Sequence, residues 1–200
     1  VKNAKGMPHK AGRGLFAAAL MERLPLLPVE EEGRLNDPVL RENFIVRVFG
    51  FHRLQQVFAG RFKRRDVIDF HAREKFLLMA HSPKHYKELG RLVAAVKYHR
   101  PTEFRDLYTR LYMEGLQQKA TPRKNVNVLH HILGFLKDSV GAAEKRDILR
   151  VIENYRHGLV PLIVPLTLLA HYLKVHEVEY LLDQVYLDPA PEELALRNHV

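Results

Sequence analysis

Cysteine is absent from the 200 residues. That excludes disulfides, thiolate metal sites and thiol catalysis within the chain, and it fits a reducing cytoplasm. Also missing is any apolar run of the roughly 20 residues that a membrane span requires. No charged start followed by an apolar core reads as a signal peptide. The expectation is a soluble, cytoplasmic protein with no membrane partner. There is no internal repeat, no low-complexity segment and no His-Glu-x-x-His motif. His81 and His85 have the spacing of a metal pair, but Ser82-Pro83 starts a new helix between them, so no zinc site is expected.

What is present is a helical pattern with an uneven charge. Hydrophobic residues make up 46% and charged residues 28%, ordinary for a globular domain. The net charge is +9. Residues 51–100 carry 12 Lys/Arg against 4 Asp/Glu, whereas residues 101–200 carry 12 against 13. Concentration of that kind suits an anionic partner, with nucleic acid first and an acidic protein or membrane surface behind.

The most apolar run is residues 158–171, which holds no charge. Its length suits a buried helix, expected here as the central one, with Pro161 in its first turn and Pro165 kinking it. Around it the pattern predicts helices over 16–24, 38–51, 66–80, 83–98, 101–116, 123–140 and 142–157. Ser82-Pro83 and Thr121-Pro122 are N-cap and first-turn signals, and Gly158 is a C-terminal stop. Asp66 is expected as an N-cap, and Phe44, Ile45 and Val48 as the inner face of the second helix. Residues 26–29 read as a brief strand, 177–185 as a short helix and 191–198 as a final helical turn or two. The fold expected is all-α: an antiparallel bundle of about seven helices, with a short mixed α/β remnant at residues 1–50 and the helical domain over 51–200.

The candidate phosphate contacts are Arg61, Lys63, Arg64 and Arg65, extended by Lys75, Lys84 and Lys87, since such contacts give salt-dependent affinity for nucleic acid. Arg123, Lys124 and Asn125 stand at a predicted helix start, where free N–H groups favour an anion. Glu74 reads as a salt-bridge partner of Arg73 and Lys75. Of His130-His131, one is expected to pack and the other to face water. Tyr86, Tyr98, Tyr108 and Tyr112 have helical spacing that suits core or rim, with base stacking as the alternative. No complete catalytic constellation is visible.

The segments His71-Ala-Arg-Glu-Lys-Phe-Leu-Leu-Met-Ala-His-Ser-Pro-Lys-His-Tyr-Lys-Glu-Leu-Gly90, Ala120-Thr-Pro-Arg-Lys-Asn-Val-Asn-Val-Leu-His-His-Ile-Leu-Gly134, Tyr155-Arg-His-Gly-Leu-Val-Pro-Leu-Ile-Val-Pro-Leu166 and residues 191–200 together resemble the YbgA-like domain of unknown function. The resemblance covers about 57–200. Residues 12–17 and 24–37 resemble instead the tail of a TudS-type desulfidase domain, often fused in front of a YbgA-like one. Val1 as first residue fits a partial or processed chain. The resemblance implies a parent that removes sulfur from 4-thiouridine in tRNA, with tRNA and the preceding desulfidase domain as partners. That family's three cysteines, which hold an iron–sulfur cluster, and its catalytic carboxylate and serine have no counterpart here. No cofactor and no catalytic residue are therefore expected in these residues. The functional expectation is a tRNA-binding accessory domain; the alternative is a structural or dimerisation module.

Overall fold

The computed structural model describes residues 14–199; residues 1–13, which include most of the Gly12-Arg13-Gly14 stretch expected to be flexible, and Val200 lie outside the described residues. Among the described residues the regular structure is helical throughout: α1 (Leu15–Arg23), α2 (Pro38–Val57), α3 (Arg64–His81), α4 (Pro83–Ala94), α5 (Pro101–Gln117), α6 (Pro122–Leu136), α7 (Ala142–Arg156), α8 (Ile163–Val175) and the short α9 (Glu179–Leu182), with 3₁₀ turns at Glu32–Asn36, Val96–Tyr98 and Glu192–Leu194. Residues 26–29 form a turn and coil rather than the predicted strand. Pro25 and Pro28 bracket this segment and cannot donate to a ladder.

The chain starts and stops its helices with local devices. Asp37 Oδ1 accepts the N–H groups of Val39 at 2.8 Å and Leu40 at 3.1 Å, with Pro38 in the first helical position. Ser82 and Thr121 cap α4 and α6 in the same way, each followed by proline. Asp66 is not the cap of α3 but its third residue, where its carboxylate accepts the Lys63 N–H at 2.7 Å. Gly158 has φ +70° and closes α7: its N–H donates to Tyr155 O at 3.0 Å and that of Leu159 to Asn154 O at 2.9 Å. This is the Schellman pairing, which needs a left-handed residue that glycine adopts without steric cost.

The central helix is α3, not the apolar run at 158–171. α3 packs against α2, α4, α5 and α6 and buries nine of its 18 residues; α8 touches α6, α7 and α9 and buries four of 13. α8 lies at an edge, with Val164 and Val175 exposed. Pro165 falls in its first turn, where the N–H has no partner inside the helix, so no bond is lost and no kink is required. Pro161 precedes the helix and its carbonyl accepts the Val164 N–H at 3.1 Å.

α2 spans residues 38–57, across the boundary expected near residue 50, and packs on α5 and α3. Its inner face is Asn43, Val46, Gly50 and Leu54, not Phe44, Ile45 and Val48. At Gly50 a Cβ would sit 2.6 Å from Leu116 Cδ1, so this glycine sets the α2–α5 approach. Along α5, Phe104, Tyr108 and Tyr112 stack with centroids 5.7 and 6.2 Å apart, and Phe70 of α3 meets Tyr112 at 5.5 Å.

Beside this ladder Glu74 is fully buried. It accepts from Arg53 Nε at 2.7 Å and from the Tyr112 hydroxyl at 2.8 Å. Arg53 also donates from Nη1 to Pro189 O at 2.9 Å, tying the C-terminal segment to α2. The partner of Glu74 is thus remote in sequence, not Arg73 or Lys75, because adjacent residues in a helix point in different directions.

Candidate nucleic-acid interface

The cations predicted as phosphate contacts do not form one surface. Arg61, Lys63 and Arg64 are exposed, at the α2–α3 turn. Phe62 anchors that turn on the core, 4.9 Å from Phe58 and 6.1 Å from Phe104 between centroids. Arg61 and Arg64 thereby share a shallow cleft of about 320 Å³ with His99, just before α5, and Arg105 in its first turns. On α4, Lys84, Lys87 and Arg91 are exposed and follow three- and four-residue spacing, opposite the buried Leu89, Leu92 and Val93. Just after α4, Lys97, Tyr98 and Arg100 are also exposed, with Lys97 Nζ 4.7 Å from the Tyr98 ring centroid. Tyr98 is 77% exposed.

Among the described residues, Arg61, Lys63, Arg64, Lys87, Arg91, Lys97 and Arg100 have no carboxylate within 4.0 Å. Arg65 pairs with Asp69 at 3.4 Å and Lys84 lies 3.9 Å from Glu88, both exposed. Lys75 is placed elsewhere: its Nζ sits 4.6–5.3 Å from the rings of Phe76, Phe135 and Tyr180 and donates to the Tyr180 hydroxyl.

At the α6 start the three predicted residues part company. Arg123 is exposed. Lys124 Nζ donates to His81 O at 2.7 Å and Lys119 O at 3.1 Å, placing a cation on the C-terminal end of α3, and burial lowers its pKa. Asn125 is buried: its amide donates to the Tyr155 hydroxyl at 2.9 Å and accepts from that of Tyr186 at 3.1 Å. Of the tyrosines, Tyr108 and Tyr112 are core, and Tyr86 is half-buried, stacked on His71 at 6.2 Å. His130 and His131 are both exposed, contrary to the expected division.

Asn125 points to a second feature that the charge pattern missed. A cleft of about 480 Å³ lies between α2, the end of α3, the α5–α6 turn, the end of α7 and residues 197–199. Each of the four sequence segments that carry the family resemblance reaches it: His81, Asn125, Tyr155 and Arg197 come from one each. That convergence was the available signal. His81 Nδ1 is 2.7 Å from Gln118 O, so this nitrogen carries the proton. The 3.5 Å approach of Asn43 Nδ2 to the same nitrogen is then a meeting of two donors, and Asn43 donates instead to Leu116 O at 3.0 Å. Burial lowers the His81 pKa to about 4, which keeps the ring neutral near pH 7.

The floor is held by Arg197, buried and at φ +67°, a region costly for a residue with a Cβ. Its N–H donates to Glu42 Oε2 at 3.1 Å, its carbonyl accepts from Ile163 at 3.1 Å, and Nη1 donates to Tyr186 O. Its Nε has no hydrogen-bond partner and lies 3.7 Å from Glu42 Oε1.

A serine–histidine contact also occurs: Ser82 Oγ is 2.7 Å from His85 Nδ1, and His85 Nε2 is 3.8 Å from Glu114. Ser82 is buried and its hydroxyl accepts the His85 N–H as the cap of α4, which accounts for the pair structurally. Among the described residues no group of three or more His, Asp or Glu is placed to hold a metal. No helix there is long and apolar enough to cross a membrane.

Fold and surface therefore define an all-α domain with a cationic stripe and a cleft of mixed polar and apolar lining. The family model described as "Protein of unknown function (DUF1722)" matches residues 75–191, and the chain belongs to this family. It is 28% identical over 158 residues to a protein described as "Uncharacterized protein YbgA" from Escherichia coli (strain K12), covering 78% of this chain and 94% of that relative. No solved structure matches.

Proposed function

We propose that the chain is an RNA-binding domain that docks tRNA, presenting a thio-base to a desulfidase domain of the kind whose tail residues 1–50 resemble. The observation that carries the RNA reading is the run of cations without carboxylate partners, Lys87–Arg91–Lys97–Arg100 with Arg61 and Arg64, beside the exposed ring of Tyr98. Cations placed this way release counterions on meeting phosphates, and an exposed tyrosine offers a face for an unpaired base. The tRNA and desulfidase parts rest on the resemblance alone.

The test is binding of tRNA to the full chain at two salt concentrations. Affinity should fall steeply with salt, and Arg64→Glu/Lys87→Glu/Arg91→Glu should weaken it while lowering the log–log salt slope by about one per lost phosphate contact. Salt-insensitive binding, or binding unchanged in the triple variant, refutes the reading.

A second reading has its own observation. α1 buries none of its residues, and Leu15 and Phe16 are 92% and 82% exposed, which suits a contact with another domain or a second copy. Under that reading a solution mass above that of the monomer would fall to the monomer value in Leu15→Ser/Phe16→Ser.

A further inference from the structure

We propose that the cleft between α2, α7 and residues 197–199 binds a single nucleotide unit, its phosphate at the Lys119–Arg156 rim and its base against the Tyr155 floor. The site is separate from the cationic stripe, and the inference does not depend on the stripe's function.

Size comes first. A cleft of about 480 Å³ lies within the roughly 300–1,000 Å³ typical of small-molecule sites and is far larger than a lone ion would fill. Charge comes next. Among the described residues Glu42 is the only carboxylate lining it, and Arg197 and His199 each approach that group at 3.7 Å. Lys119 and Arg156 stand exposed at the rim; Arg156 shares an exposed contact with Glu153 at 3.4 Å, and the Lys119 side chain has no carboxylate partner among the described residues. The surplus is positive and lies at the mouth, where a phosphate would meet it first.

The interior has a different character. Val39, Pro122, Val160 and Leu162 supply apolar wall, suited to the faces of a planar ring. Two polar groups among them are unspent. The Tyr155 hydroxyl accepts from Asn125 and donates to no group among the described residues. Asn43 donates from its amide nitrogen, and its Oδ1 accepts from none. A donor and an acceptor beside apolar walls match the edge of a nucleobase, which carries both kinds of group in one plane. The left-handed backbone at Arg197 is held by bonds on both sides of the residue, so the floor is built before any ligand arrives.

The nucleotide unit has two sources, a free mononucleotide or an unpaired residue of an RNA strand, and the experiment separates them. The full chain is titrated calorimetrically with the four 5′-ribonucleotides, with inorganic phosphate, with a blunt RNA duplex and with the same duplex bearing an unpaired 3′ tail. A mononucleotide should bind at least about tenfold more tightly than phosphate, the gain expected from one or two added hydrogen bonds in a desolvated site. Lys119→Glu, at an exposed position outside the core, should weaken that binding about tenfold, and Tyr155→Phe should weaken it several-fold while keeping the ring. Sensitivity of the free mononucleotides alone assigns the free ligand. Sensitivity of the tailed duplex but not the blunt one assigns the RNA strand. Phosphate binding as tightly as every mononucleotide overturns the inference. So does Lys119→Glu leaving the mononucleotides and the tailed duplex unaffected. The stripe variant Lys87→Glu/Arg91→Glu tests the RNA reading independently: its failure would leave the mononucleotide result standing.

Discussion

Removing Arg53 should destabilise the domain more than removing Glu74, although the two form one ion pair. Glu74 has a side-chain exposure of 0% and Arg53 of 23%. In Glu74→Ala the guanidinium keeps its bond to Pro189 O and can turn toward water, while the Tyr112 hydroxyl loses its acceptor. Stranding one partner of a buried pair costs about 3–5 kcal/mol, and the escape route places Glu74→Ala near the lower end. In Arg53→Ala the carboxylate stays in a sealed site with one tyrosine donor, and the Pro189 contact, worth about 1 kcal/mol, goes as well. That variant belongs near the upper end, about 4–5 kcal/mol. Native domains are stable by about 5–15 kcal/mol in total, so the loss would be plain in a urea titration followed by circular dichroism. The double variant Arg53→Met/Glu74→Leu should recover most of the loss, giving a coupling of about 2–3 kcal/mol in the cycle. If Arg53→Ala cost less than about 1 kcal/mol, or less than Glu74→Ala, the account of a sealed carboxylate that depends on a half-exposed arginine would be wrong.

Three further predictions concern two buried histidines and two helical glycines. Burial lowers the pKa values of both His81 and His71 to about 4 from 6.5, so the unfolded chain binds more protons between those values and stability must fall as pH drops through that window. The contribution is whole above about pH 6.5 and levels off below about 4, with His81 supplying at most about 3 kcal/mol of it; urea midpoints at pH 7.5, 6 and 5 should decline, less so in His81→Gln, and a flat wild-type profile would contradict the burial argument. Gly50→Ala should cost about 1–3 kcal/mol by pressing on Leu116, whereas Gly134→Ala, with open space at its Cβ, should gain about 0.5–1 kcal/mol, read as opposite shifts of Tm.

Local signals were legible in the sequence because their causes are local. Ser82-Pro83, Thr121-Pro122 and Gly158 act within four residues, and each marks the helix boundary it predicted. The identity of the central helix was not legible. α3 carries Glu74, His71 and His81, which depress its apparent hydropathy, and what makes their burial tolerable lies elsewhere: Arg53 on α2, Tyr108 on α5 and the Gln118 carbonyl. The 158–171 run looks central only because no charged residue interrupts it. The same blindness affected the surface. Lys75 and Lys124 read as phosphate contacts, but an aromatic trio occupies the first and the backbone carbonyls of His81 and Lys119 the second.

The packing of α2 across α5 and α3 bears on where this module can be cut. The stretch common to the family, 75–191, starts one residue past Glu74 and omits α2 and Arg197 altogether. A polypeptide trimmed to that stretch would have a Tyr112 hydroxyl facing a vacant trough, a bare flank on α5 where Gly50 had nestled, and no base to its cleft. Similarity marks the part of the domain that is held in common; a self-sufficient unit must also carry the twenty residues of α2 as its keel.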